Sequence, residues 1–240
     1  MVAARVGTSK GERSFPPPVR LPPSRLGASM SVPPFASLRA AAADERPVLV
    51  VLAGPNGAGK STFFAQHLHG LGLLFVNADH IARLLRDAEP GLPRLQLERR
   101  AFDEAERLRA DLIDLRFGFC TETVFSDPAG AKLDFMERAR SAGFVVLLLF
   151  IGLAGPALSV ARVATRVARG GHDVPDHKLF ARYPRTLRNL RAAVGAVDRA
   201  FLFDNSSLDT PYRPVAVYAD GRVAERFPPL PRWTRGLPGL

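Results

Sequence analysis

A glycine-rich run, Gly54-Pro55-Asn56-Gly57-Ala58-Gly59-Lys60-Ser61-Thr62, carries the most definite chemistry in this 240-residue sequence. Gly54, Gly59, Lys60 and Ser61 meet the spacing G-x-x-x-x-G-K-[ST]. Glycines there let backbone amides turn inward around phosphate oxygens, and a helix starting at the end of the loop adds favourable partial charge. The pattern assigns Lys60 to the β- and γ-phosphates of a nucleoside triphosphate and the Ser61 hydroxyl to Mg²⁺. A chance glycine-rich turn can match the same pattern. Here it follows a β-rich apolar run, Pro47–Ala53, and precedes a helical one, which is the context a phosphate loop requires.

Two carboxylates stand where an acceptor could be handled. Ligands of open α/β sheets collect at the carboxyl ends of the strands. Asp79 lies just past a second strand, Leu73–Asn77, and either takes a proton from an acceptor hydroxyl or caps a helix beginning at His80. Glu122, in Thr121-Glu122-Thr123, closes a third strand. It suits a sugar hydroxyl or a magnesium-bound water, or else belongs to a polar cluster satisfied by the backbone. A half-buried glutamate without a partner is unusual, which favours function.

A third group is cationic. Arg162, Arg166 and Arg169 fall on nearly one helical face. They run into Gly170-Gly171-His172-Asp173-Val174-Pro175 and then Arg182, Arg185 and Arg188. Two basic helices about a double-glycine hinge describe a lid that brings guanidinium groups onto phosphate oxygens. The alternatives are a solvated basic face and a nucleic-acid surface, and no aromatic interleaving accompanies the arginines to stack bases. His172 reads as a structural lid residue, since no Cys or His cluster adjoins it.

The elements that must position these groups are legible as an alternation. Strands are expected at Pro47–Ala53, Leu73–Asn77, Phe117–Glu122, Phe144–Ile151 and Ala200–Phe203. Helices fall between them: one through about Asp87, an amphipathic one over Gln96–Arg116, one capped by Ser126-Asp127-Pro128, then Pro156–Ala168 and Asp176–Val194. Tyr212–Tyr218 and Arg222–Phe227 form a terminal hairpin about Asp220-Gly221. The alternation predicts an α/β three-layer P-loop NTPase fold: a five-stranded, mostly parallel sheet with helices on both faces, a helical lid and a C-terminal β-hairpin. The domain is expected over residues 47–230, with the lid at about 162–185.

Residues 1–46 are rich in Pro, Ser, Arg and Ala and lack apolar periodicity, so they read as a disordered tail, and Met30 offers a second start site. Hydrophobic residues at 47% and charged ones at 23% place the chain as a whole among soluble globular proteins. Of the net charge of +10, residues 1–46 hold +4 and residues 160–200 hold +6, a compact basic region suited to polyphosphate or nucleic acid. Phe144–Ala154 is shorter than the roughly 20 residues of a membrane span, and no secretory signal is expected. Cys120 is the sole cysteine, which fits the cytoplasm.

The sequence resembles the zeta toxin-type P-loop kinases. The resemblance rests on Gly54–Thr62, Asn77-Ala78-Asp79, Glu122-Thr123, Arg162-Val163 with Arg166-Val167, Gly170–Pro175, Arg182-Tyr183 and Asp204-Asn205-Ser206, in order over residues 47–227. It implies transfer of the γ-phosphoryl group of ATP or GTP, with Mg²⁺, to a hydroxyl of a small acceptor, in zeta toxins UDP-N-acetylglucosamine. Lys60 then matches the loop lysine, Asp79 the base, Glu122 and Thr123 the substrate side, and Asp204 the nucleotide side. Arg162 matches a phosphate-contacting lid arginine, with Arg166, Arg169 or Arg182 as the second. The lid segment is shorter than in better-known toxins, and no antitoxin segment is evident, although the resemblance raises an antitoxin protein as a partner. Two other readings stay open: a nucleic-acid end kinase, and a non-catalytic nucleotide-binding regulatory module.

Overall fold

The computed structural model describes residues 34–171 and 173–240. One seven-stranded sheet organises the chain, in the order β2-β3-β1-β4-β5-β6-β7. The strands are β1 Val48–Ala53, β2 Leu74–Val76, β3 Phe119–Thr123, β4 Val145–Gly152, β5 Arg199–Asp204, β6 Arg213–Ala219 and β7 Arg222–Arg226. The first five pair in parallel, while β6 and β7 add antiparallel. The expected hairpin therefore joins the sheet instead of standing apart from five strands. The free edge of β5 supplies the ladder it completes. Its turn residues Asp220 and Gly221 both have positive φ, as a type I′ turn demands.

Central strands buried on both faces need apolar side chains at every position. All six residues of β1 and all eight of β4 are buried. Leu49, Val51, Val146, Leu148 and Phe150 face one core, which α4 (Arg94–Asp114), α5 (Ala131–Ser141) and α7 (Asp176–Ala193) complete. Val48, Val50, Leu52, Leu147 and Leu149 face the other, closed by α1 (Phe35–Ala42) and α2 (Lys60–Phe63), which runs on as a π-helical turn, Phe64–Leu68. The remaining helices are α3 (Ala78–Ala88) and α6 (Pro156–Val167). A satellite cluster of Val163, Val174 and Leu179 joins α6 to α7.

Three expectations are corrected. Residues 35–42 are not tail but helix α1, with Phe35 and Leu38 buried. Phe35 stacks on His67 at 4.9 Å and Phe203 at 5.3 Å, so one aromatic anchors the helix without long-range periodicity. Residues 1–33 lie outside the described residues. Secondly, Ser126-Asp127-Pro128 does not cap α5, which starts at Ala131 behind Gly130 (φ 81°). Asn189 of α7 donates to the carbonyls of Phe125 and Asp127, which ties that segment to α7 outside any helix. Thirdly, residues 231–240 pack onto the domain, with Trp233 and Leu237 buried.

The aromatic anchor is testable. Phe35→Ala is expected to destabilise the fold by about 3 kcal/mol, read as a lowered denaturant midpoint at unchanged m-value.

Candidate active site

Strand register brings the phosphate loop together with the end of β3. Leu52 and Ala53, the last residues of β1, lie beside Glu122 and Thr123. Gly54 then turns at φ 144°, where an added Cβ would overlap the Ile151 carbonyl oxygen of β4. Only glycine fits there. Three side chains from outside the loop hold its carbonyls. Ser159 Oγ donates to Asn56 O at 2.6 Å, Asn205 Nδ2 to Ala58 O at 2.9 Å, and Tyr212 Oη to Gly59 O at 2.9 Å. Fixing the carbonyls this way leaves the amides for an anion.

Lys60 is 5% exposed, and its ammonium donates to Gly54 O at 2.9 Å and Pro55 O at 3.1 Å. Burial pushes its pKa down, Glu122 at 3.7 Å opposes this, Arg166 pushes it further down and Asp79 pushes it up. A buried cation held largely by carbonyl dipoles is poised for an anion that completes its partners. Glu122 Oε2 accepts from Ser61 Oγ and from Asn77 Nδ2, each at 2.7 Å. The glutamate expected on the substrate side is thus bonded to the loop serine. Its oxygens and the Ser61 hydroxyl form a hard donor set that fits Mg²⁺.

Asn77 resolves the ambiguity at Asp79. Helix α3 begins at Ala78, not His80, and its N-cap is Asn77, whose Oδ1 accepts from the amides of Asp79 at 2.7 Å and His80 at 3.2 Å. Asp79 stands exposed in the first turn, near enough for its charge to bias Lys60. It does not serve as the cap.

With this geometry in view, comparison with known proteins is informative. The family model described as "Zeta toxin" matches residues 36–218. The chain belongs to the zeta toxin family. An uncharacterised Haemophilus influenzae protein is 29% identical over 130 residues, covering 54% of this chain and 88% of the relative. A solved structure from the PezAT chromosomal toxin–antitoxin system of Streptococcus pneumoniae aligns at TM-score 0.54 and 17% identity, covering 76% of this chain and 78% of that one. The AvrRxo1-ORF1:AvrRxo1-ORF2 structure with sulphate ions aligns at 0.57 and 18%, covering 79% and 67%. The same pair with ATP aligns at 0.55 and 18%, again covering 79% and 67%. At these identities the solved structures speak for the fold. Membership of the zeta toxin family makes the chain a P-loop phosphotransferase, a kinase.

Of the residues marked by the zeta toxin resemblance, Lys60, Ser61, Asp79, Glu122 and Arg166 gather around the loop. Arg162 backs it, with its Cβ where a side chain on Gly57 would reach. Arg182 is half-buried on α7, beside Tyr183, whose hydroxyl donates to Leu153 O at 2.7 Å. Thr123 Oγ1 accepts from the Phe125 amide at 3.0 Å, supporting a turn in which Phe125 takes φ 61°. Asp204, expected on the nucleotide side, is engaged within the fold. Its carboxylate accepts from Trp233 Nε1 at 2.8 Å and Ser206 Oγ at 2.7 Å, and the next residue, Asn205, reaches the loop instead. His172 lies outside the described residues.

Sequence reasoning missed Ser159 and Tyr212 as supports of the site, and Asn77 and Asn205 entered the resemblance without a role. Only the N-cap preference of asparagine before Ala78 offered a local signal. Burial raises the Tyr212 hydroxyl pKa, while a bond with Thr62 and the charge of Arg162 pull it back. Asn205→Ala removes its bonds to Ala58 O and from the Tyr212 amide. Nucleotide affinity is expected to fall about tenfold, measured by calorimetry.

Proposed function

We propose that this chain transfers the γ-phosphoryl group of ATP or GTP to a hydroxyl of a small acceptor, a nucleotide sugar of the UDP-N-acetylglucosamine type. One observation carries the reading. Asn77 caps α3 and donates to Glu122, leaving the Asp79 carboxylate available beside the loop lysine. The likeness to a pair solved with ATP supports the nucleotide.

The amides of Gly54–Thr62 cradle the phosphates, and Lys60 shifts from the Gly54 and Pro55 carbonyls to phosphate oxygens. Ser61 and Glu122 would hold Mg²⁺, which when bound neutralises charge on the β- and γ-phosphates. Asp79 takes the proton of the acceptor hydroxyl as that oxygen attacks the γ-phosphorus, and the bond from phosphorus to the β–γ bridging oxygen breaks to release the nucleoside diphosphate. Arg166, whose charge Lys60 feels, is the second guanidinium beside Arg162, and the two meet charge developing on the transferring group. Residues 162–185 act as the lid, with α6 and α7 moving as the unit packed around Val163, Val174 and Leu179. Thr123 stands on the acceptor side.

No helix among the described residues is long and apolar enough to cross a membrane. The single cysteine supports assigning the reaction to the reducing cytoplasm. The two-protein assemblies among the structural neighbours support a protein partner of antitoxin type.

Incubation with γ-labelled ATP, first with UDP-N-acetylglucosamine and then with a metabolite extract, tests the proposal by mass identification of the labelled product. A phosphorylated nucleotide sugar is expected. Tight nucleotide binding without any labelled product would instead mark a regulatory module.

A further inference from the structure

The β4 strand end beneath the phosphate loop is pressed from a second direction. Gly54 lies against the Ile151 carbonyl on one side, and an added Cβ on the next residue, Gly152, would overlap the Trp233 indole ring. Trp233 belongs to a segment, residues 231–240, beyond the 36–218 stretch that matches the family model. Its ring packs on Phe150 at 5.5 Å between centroids. Its Nε1–H donates to the buried Asp204 Oδ1 at 2.8 Å. From Asp204 the chain passes directly to Asn205, whose amide donates to Gly152 O at 3.0 Å and whose side chain holds Ala58 O of the loop.

Resting on the kinase reading, we propose that Trp233 is a positioning residue for the bound nucleotide, acting through Asp204 and Asn205 on the phosphate loop. The indole N–H fixes the Asp204 carboxylate, and that fixes the backbone from which Asn205 reaches Ala58. The segment has other fastenings. Arg191 donates to Arg235 O at 2.9 Å, Tyr218 to Pro238 O at 2.7 Å and Arg226 to Gly239 O at 2.6 Å. Leu237 is buried in the core below. Asp204 also accepts from Ser206 Oγ at 2.7 Å and lies 3.9 Å from Arg213, so removing the indole N–H loosens the link to the loop while the segment stays in place.

Trp233 is the sole tryptophan, so tryptophan emission reports on this side chain. The test compares full-length wild type, Trp233→Phe and Leu237→Ala for MgADP affinity by calorimetry and for thermal stability. Trp233→Phe is expected to weaken MgADP about fivefold. Leu237→Ala is expected to lower the melting temperature with affinity retained, because it loosens packing without touching Asp204. Wild-type emission should change saturably with MgADP, at a midpoint matching the calorimetric value.

Unchanged affinity in Trp233→Phe, or equal weakening in Leu237→Ala, overturns the positioning role. If Trp233→Phe does not fold, the wild-type emission decides, and no change at saturating MgADP overturns the proposal. Wild type that binds no MgADP at all would instead remove the kinase reading beneath it.

Discussion

Asp79→Asn is expected to slow phosphoryl transfer by about 10²–10⁴-fold while nucleotide affinity stays close to that of wild type. Asparagine keeps the shape of the side chain but cannot accept the acceptor proton. The helix start should survive, because Asn77 and not Asp79 receives the amides of residues 79 and 80. The loss of a first-turn acidic group costs about 0.3–1 kcal/mol, too little to unfold the domain. Steady-state turnover paired with calorimetric nucleotide binding checks both halves. Substantial retained turnover would remove Asp79 as the base. Loss of nucleotide binding along with turnover would show that its charge matters chiefly through Lys60, whose pKa it raises.

Lys60→Met should be comparably severe, with both halves of the assay affected. The methionine still fills the buried stem position, but no cation meets the phosphates, and transfer is expected to fall by about 10³-fold or more. The nucleotide-free protein should behave differently. Burial holds the lysine pKa below the ordinary lysine value of 10.5, so the unfolded chain binds the proton more readily than the folded one. That penalty is fully present below the folded pKa, and wild-type stability rises as pH increases through the folded pKa toward 10.5. Removing the ammonium removes the penalty, although the Gly54 and Pro55 carbonyls and Glu122 lose a partner. The expected signature is a nucleotide-free melting temperature kept or raised, with the stabilisation by added nucleotide lost. A melting temperature that falls sharply without nucleotide would show that Lys60 holds the loop together.

Local pattern was enough for the parts whose physics is local. The phosphate loop is legible because its glycines, lysine and serine sit within one turn and their backbone needs are independent of distant residues. The strands are legible because burial on both faces writes Val48–Ala53 and Val145–Gly152 as unbroken apolar runs. The basic helices on either side of Gly170-Gly171 and the Asp220-Gly221 turn follow from spacing and from positive φ in the same way.

What stayed hidden depended on long-range pairing. Helix α1 carries only two buried residues, too few for periodicity, and its anchor is an aromatic cluster with His67 and Phe203. Ser126-Asp127-Pro128 looked like a cap because local preference knows nothing of Asn189. Asp204 and Asn205 are adjacent polar residues after a strand, and sequence alone cannot say which turns toward the loop. Trp233 takes the first, which leaves the second to hold Ala58.

The sequence by itself therefore determined that this protein has a phosphate cradle, a parallel α/β frame to carry it, and carboxylates and arginines near the correct strand ends. Only the tertiary structure decided their partners. The pairing of β1 with β3 set Glu122 beside Ser61, and Asn77 took the helix cap in place of Asp79. The reason is that a side chain's chemistry is set by the partners that satisfy it, and here those partners come from strands and helices far apart in the chain.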